Sequence, residues 1–399
     1  MKRLTIILIG LILLLNSLAL AQYDKYGGWL NLKGMKTGFF HTQQIDGRWW
    51  LVSPEGNAFF MKGVGGFDRN TSPNDLKNLA KQLKGWNFNS IGGSATGQVM
   101  GIPYTITLNL AASQQANLWL QGIVLDYFSP EFRQAVERQA AELCPKYIND
   151  PLLIGYFTDN EVRWFPDIRS KETILETFLN KSVESPGYQK AVAFLKERGH
   201  TRDSITYNDK ASFLEIAAAE YGRICRDAIR RHDMNHLILG SRFNEKAPIP
   251  LSRALAPYFD VFSFNSYEHR APLYKLREIA RITGKPTMIT EFSFKAMDSE
   301  NPNTIGAGDP VATQQDRADL YAAWVQDLAT LPTCLGFDWF KYRDQPKEGA
   351  GTSSPGGWGG ENSNYGLVKL DGTPWTVLVN RMKEVNGKLE TLAAKSDNP

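Results

Sequence analysis

The sequence predicts an α/β fold, a (β/α)8 TIM barrel with an N-terminal β-hairpin and long loops on one face, and three observations predict it. Short apolar runs recur along the chain, amphipathic stretches with helical spacing separate several of them, and conspicuous polar residues stand where the runs end. With 399 residues, 42% hydrophobic and 12% aromatic, there is material for one large core. Barrels of this kind run past about 250 residues as one unit, and no internal repeat or Pro/Ser-rich linker divides the chain.

Residues 1–21 read as a secretory leader, with Lys2 and Arg3 in front, an apolar run through Ile6, Leu11 and Leu15, and Ala19-Leu20-Ala21 at the end. The run is too short for a well-flanked membrane span. The expectation is cleavage near Ala21, a single domain over 22–399, a periplasmic or secreted location, and no membrane attachment once the leader is removed. The net charge of +3 falls to about +1 without Lys2 and Arg3, and no basic tract occurs, which excludes nucleic acid as a partner. Cys144, Cys225 and Cys334 are far apart and odd in number, so at most one disulfide can form, and small buried thiols are the reading adopted.

Within 44–64, two β-rich runs flank the turn formers Ser53-Pro54-Glu55-Gly56-Asn57, which predicts the hairpin. Eight short runs follow as barrel strands: FFMKGVGG (59–66), FNSIGG (88–93), YTITLNL (104–110), LLIGYFT (152–158), LILGSRF (237–243), VFSFNSY (261–267), PTMITEFSF (286–294) and CLGFDWF (334–340). FNSIGG is polar for a barrel strand, and YTITLNL would also suit a strand outside the barrel. Helices are expected at SPEFRQAVERQAAELCPKYI, SFLEIAAAEYGRICRDAIRRH and TQQDRADLYAAWVQDLATL; the first opens on Ser129 and Pro130, an N-terminal signature. Residues 162–236 hold about two more helical stretches than a barrel needs, and 341–366 form a long Gly-rich loop. Both follow a strand's C-terminal end, so both should wall a cleft on the face where barrel sites form.

Function is therefore sought at the strand ends. The fourth run ends in Thr158-Asp159-Asn160-Glu161 and the seventh in Thr290-Glu291-Phe292. Two carboxylates facing one another across a pocket suit glycosidic bond cleavage, one protonated to donate to the leaving oxygen and the other ionised to attack the anomeric carbon or activate water. Either Glu alone reads as well as a helix cap or a rim salt bridge; the pair is what points to catalysis. Trp339 and Tyr267 close the eighth and sixth runs, and flat side chains pack on the C–H faces of sugar rings.

Asn160-Glu161 ending strand four, Glu291 ending strand seven in PTMITEF, and Trp339 ending strand eight resemble the clan A retaining glycoside hydrolases over nearly the whole chain after the leader. The resemblance implies Glu161 as acid/base, Asn160 as partner of the sugar 2-hydroxyl, Glu291 as nucleophile and Trp339 as platform under the ring. It also implies that Tyr267, and Arg242 in LGSRF, steady the nucleophile. The frames DGRWWLVSPEGNAFF, IGYFTDNEV, LGSRF and ENSNYGLV are similar to the family 50 β-agarases and shorter agarase-like glycosidases. The expected substrate is accordingly a β-linked galactan, with a β-glucanase or β-mannanase as rival and a catalytically silent sugar-binding barrel as the rival of another class.

His269 after strand six, Trp164 and Phe165 after strand four, and Asn362, Asn364 and Trp358 in the last loop read equally as sugar contacts and as loop residues. His232 and His236 have the i, i+4 spacing of a metal pair but sit before strand five, at the opposite end, without an evident third ligand. The stretches GVGG and SIGGSATG lack the Lys-Ser/Thr of a phosphate loop and read as tight barrel turns. No Gly-x-Ser-x-Gly elbow competes. The expected chemistry calls for no metal and no cofactor.

Overall fold

Two sheets carry the architecture of the computed structural model, which describes residues 22–67, 71–114, 118–349 and 360–395; the leader expected over 1–21 lies outside them. The first sheet is antiparallel, with strands β1 (Trp29–Lys33), β2 (His41–Ile45), β3 (Arg48–Val52) and β4 (Asn57–Phe59) in the order β1-β4-β3-β2. The expected hairpin is thus one half of a four-stranded sheet. Its turn joins β3 to β4 as foreseen, with Gly56 at φ +84° and the Ser53 N–H donating to Asn57 O at 2.8 Å. A second turn, Asp46-Gly47 with φ of 50° and 81°, joins β2 to β3. Asp-Gly between β-rich residues is a strong hairpin signal in its own right.

The second sheet is the barrel. Its strands β5 (Met61–Val64), β6 (Ser90–Ile91), β7 (Tyr104–Thr107), β8 (Leu153–Phe157), β9 (Leu237–Ile238), β10 (Phe243–Asn244), β11 (Phe262–Asn265), β12 (Thr287–Phe292) and β13 (Cys334–Trp339) are parallel, and β13 pairs with β5. YTITLNL is a barrel strand, between β6 and β8. Nine segments make eight staves, because LILGSRF is broken: β9 pairs with β8, β10 pairs with β11, and Gly240 and Arg242 between them take φ of +86° and +47°. Ile238 O accepts the Asp260 N–H at 2.9 Å, closing the ring at that break.

Helices α1 (Pro73–Gly85), α2 (Thr96–Met100), α3 (Leu118–Gln121), α4 (Pro130–Leu143), α5 (Ile174–Leu179), α6 (Pro186–Glu197), α7 (Tyr207–His232), α8 (Ile249–Leu255), α9 (Leu273–Thr283), α10 (Gln314–Thr330), α11 (Thr376–Asn386) and α12 (Leu389–Lys395) complete the described chain. Ser129 Oγ accepts the Phe132 N–H at 3.0 Å and Pro130 opens α4, as its sequence predicts. Helices α5 and α6 are the extra pair expected in 162–236.

The core has two parts. Aliphatic and aromatic side chains between strands and helices form the outer layer. Inside the barrel, Met61, Ile154, Phe157, Leu237, Leu239, Val261, Met288 and Leu335 pack with Leu51 and Phe59 of the N-terminal sheet and with Phe40 just before β2. That sheet plugs the floor, and only Phe60 separates β4 from β5, so plug and first stave are one piece. Burying each such side chain contributes roughly 1.5–3 kcal/mol. Cys144, Cys225 and Cys334 are buried free thiols. Among the described residues no helix is long and apolar enough to cross a membrane.

Candidate active site

At the open end, the strand termini converge on a cleft of about 820 Å³ whose walls include Asn160, Glu161, Asn265, Tyr267, Glu291 and Phe340. Each side chain arrives there for a local reason. In β8, Ile154 and Phe157 point into the floor cluster, while Tyr156 points outward and donates to Asp233 Oδ2 at 2.7 Å. Beyond the strand, Asp159 is buried and accepts the Ala111 and Ala112 N–H groups (2.9 and 3.1 Å) and the Tyr221 hydroxyl (2.7 Å). It orders the segment after β7. Burial pushes its carboxyl up to about 6, with those hydrogen bonds opposing.

Glu161 reaches the cleft by taking φ +48°, a left-handed backbone uncommon outside glycine. Its carbonyl accepts from Arg169 Nη1 at 2.9 Å, and its N–H donates to Arg242 O at 3.4 Å. Strain of this kind persists where surroundings over-determine it, and it clusters at working sites.

Glu291 owes its direction to a bulge. Ile289 and Phe292 pair with Phe337 and Trp339, so three steps on β12 face two on β13. Ile289 and Phe292 both pack in the outer layer, and the extra residue lets Glu291 turn into the cleft. Its Oε1 accepts from Arg242 Nη2 at 2.6 Å and its Oε2 from the Tyr267 hydroxyl at 2.7 Å. Arg242 Nη2 also donates to Thr290 O at 2.9 Å. Asn265, at the end of β11, links the two carboxylates' supports: its Nδ2 donates to Glu161 Oε1 at 2.9 Å and Asn160 Oδ1 at 3.3 Å, and its Oδ1 accepts the Thr290 hydroxyl at 2.9 Å.

The electrostatic consequence is an asymmetric pair. Burial first, and the charge of Glu291 second, push the Glu161 carboxyl up to about 7, against the opposing pull of Asn265, Arg169 and Arg242. Glu291 is held as the ion-pair partner of Arg242. One proton-carrying and one anionic carboxyl thus share a cleft. Around the rim, burial also raises Glu245 and Glu361, which accept from the Ser266 hydroxyl and the Gln345 amide.

The structure brings Asn160, Glu161, Arg242, Tyr267, His269 and Glu291 around this one cleft; His269 is exposed on its rim, with Nε2 2.9 Å from Asp309 O. Five other candidates are placed elsewhere. Trp339 is 0% exposed and lies in the outer layer against Phe292 and Tyr321, with Nε1 donating to Tyr365 O at 3.0 Å. It cannot be a platform in the cleft, because it shares strand parity with outward Phe337; Phe340 lines the cleft instead. Trp164 is 1% exposed, packed on Tyr127 and Tyr221. Asn362 is turned away as a latch: its Oδ1 accepts the Thr304 and Ile305 N–H groups at 3.1 and 2.9 Å, and its Nδ2 donates to Thr304 Oγ1 at 2.9 Å. Phe165 leans on the core, Asn364 is buried on Asp344, and Trp358 lies outside the described residues.

Sequence reasoning passed over Asn265, Phe340 and Glu361. Asn265 carries the same signal as Asn160, a polar residue ending an apolar strand, and Phe340 follows from the alternation that turns Trp339 outward. His232 and His236 are each engaged by protein, by Glu137 at 2.8 Å and by Asp233 at 2.7 Å. Among the described residues no group of three or more His, Cys, Asp or Glu side chains could hold a metal ion.

Fold and site define a (β/α)8 barrel with a two-carboxylate cleft, a fold shared with solved structures of an agarase and of a β-glucuronidase. Comparison narrows the likeness to β-agarases. The chain is 26% identical to "Beta-agarase B" of Vibrio sp. (strain JT0107) over 93% of its length and 50% of that protein's. It is also 26% identical to "Beta-agarase A" of the same strain over 77% of its length and 35% of that protein's. The chain therefore spans about half, or about a third, of these curated relatives. Among solved structures it superposes on the agarase AgWH50C with TM-score 0.78 at 23% identity, covering 98% of this chain and 70% of that one. It superposes on an exo-β-agarase with TM-score 0.80 at 22% identity, covering 95% and 69%. No family model matches the chain.

Proposed function

We propose that this chain is an exported, retaining β-glycosidase that cleaves β-linked galactan of the agarose type, as polysaccharide or oligosaccharide. The observation that carries the reading is the unequal pair, Glu161 pushed up by burial beside Glu291 clamped by Arg242 and Tyr267. The likeness to β-agarases supplies the sugar, and the leader-like residues 1–21 supply the export.

In this mechanism Glu161 donates its proton to the glycosidic oxygen as a Glu291 oxygen bonds the anomeric carbon and the C–O bond to the leaving sugar breaks. Clamping on both oxygens suits a nucleophile, which needs fixed direction, better than a base that must receive a proton. Esterification removes the negative charge of Glu291, one of the two causes that hold the Glu161 proton. Glu161 then stays ionised and takes a proton from the water that cleaves the ester. The nearby Asn160 amide is the group aimed at the sugar hydroxyls beside the reacting carbon.

The test is reducing-sugar release from agarose, β-galactan, laminarin and mannan by the wild type, Glu161→Gln and Glu291→Gln, with the anomer first released read by NMR. Agarose cleavage with retained configuration, lost in both variants, is expected. Activity surviving in both variants would sink the mechanism, first release of the inverted anomer would remove the covalent intermediate, and preference for laminarin or mannan would reassign the sugar.

A further inference from the structure

One buried carboxyl takes no part in the mechanism above. Asp338 follows outward Phe337 and precedes outward Trp339, so strand alternation turns it into the barrel. It is 2% exposed, and neither carboxylate oxygen has a hydrogen-bond partner among the described residues. An ionised carboxylate left so is among the costliest groups to bury.

The neighbouring staves are shaped around it. A methyl group built on Gly63 would lie 1.7 Å from Asp338 Oδ1, and one on Gly92 would lie 2.6 Å from Oδ2. GVGG and SIGG are thus not merely tight turns: Gly63 and Gly92 make room for this side chain. The charges that act on Asp338 are Arg242, whose Nη1 would lie 3.4 Å from a methyl on Gly93, the residue after Gly92, and Glu291 on the adjoining strand. From β5 and the β6 stave, Gly63, Ser90 and Gly92 face it, while Lys62 of β5 is turned to Glu390. Ser90 Oγ and Arg242 Nε are likewise buried without a partner among the described residues.

Resting on the assignment of Glu291 as nucleophile, we propose that Asp338 is a positioning residue acting through Arg242: while it keeps its proton the guanidinium's charge is left to Glu291, and once ionised it competes for that charge and loosens the clamp. Burial first, then Glu291, push the Asp338 carboxyl up to about 7, against the pull of Arg242. The loss of clamp therefore falls in the same range as the loss of the Glu161 proton.

Two readouts test this role, and the second separates it from a merely structural one. The first needs no substrate. A carboxyl whose pKa is raised on folding contributes stability that is present below its unfolded value, about 4, and is lost as pH rises through about 7. Asp338→Asn has no such loss, so the melting temperature of Asp338→Asn minus that of the wild type should grow from pH 4 to pH 8. A difference independent of pH would overturn the proposal, whatever the enzyme cleaves.

The second readout is the alkaline limb of kcat on agarose. The wild type should fall more steeply than about tenfold per pH unit, the limit for one ionisation, and Asp338→Asn should return to that limit with kcat at pH 6 within about threefold. Superimposable limbs would overturn the competition for Arg242, whereas absence of wild-type hydrolysis on every glycan would instead remove the reading of the site. Gly63→Ala should destabilise the wild type far more than it destabilises Asp338→Ala, in which the 1.7 Å clash is gone and only the rotatable Ser90 Oγ, at 2.9 Å, stays close; equal losses in both backgrounds would remove the steric argument.

Discussion

At the floor of the barrel, Leu51 and Phe59 of the N-terminal sheet interdigitate with Met61, Ile154, Leu237, Met288 and Leu335, all apolar and all shut off from water. At the mouth, Glu161 and Arg242 hold left-handed backbones, a bulge redirects Glu291, and Asp338 is buried without a hydrogen-bond partner among the described residues. The same eight staves serve both ends. Stability is concentrated where the plug docks, and that surplus lets the mouth carry strain and an unpartnered carboxyl.

Substitutions at the two ends should therefore fail in different ways. The largest effect belongs to the mouth: Glu291→Gln should lower kcat/KM by more than about ten-thousandfold, above roughly 5 kcal/mol, with no loss of melting temperature, as initial rates and calorimetry on one preparation would show. Next is Phe59→Ala at the floor, expected to cost about 3–5 kcal/mol in urea unfolding while leaving kcat of the folded fraction within about twofold. If kcat fell in parallel with stability there, floor and mouth would be one energetic unit.

Tyr267→Phe keeps the ring and removes one of the two donors to Glu291. Its expected cost is about 10- to 100-fold in kcat with KM little moved, which pre-steady-state kinetics would assign to the first chemical step. The smallest effect, and the sharpest for placement, is Trp339→Phe. It should cost about 1 kcal/mol of stability, through the lost bond to Tyr365 O, and leave kcat/KM within about twofold. A large rise in KM instead would return Trp339 to the cleft.

The two ends were not equally legible in the sequence. Strand ends rich in Asn and Glu pointed to Asn160, Glu161 and Glu291, because an apolar run that stops in polar residues is a strong contrast. The capped helix at Ser129-Pro130 was legible for the same local reason. Trp339 was misread because residue type suggested a sugar platform, while its direction depended on parity with Phe337, which only pairing with β5 fixes. The break in LILGSRF and the bulge in PTMITEF were hidden, since neither left-handed Arg242 nor a register shift has a residue-type signature. The plug was underestimated because β1 and β2, half exposed, lack the apolar pattern of the strands they join.

The latch made by Asn362 has a consequence for how such a cleft changes its diet. The wall containing Gly306–Asp309 touches the cleft, yet the side chain that fixes Thr304 and Ile305 belongs to a different loop and does not line it. Wall and latch must therefore be exchanged together: a wall segment transplanted alone between barrels would arrive without its anchor, whereas 297–311 moved with 360–365 would carry its own fastening and could bring a new preference onto an unaltered pair of carboxylates.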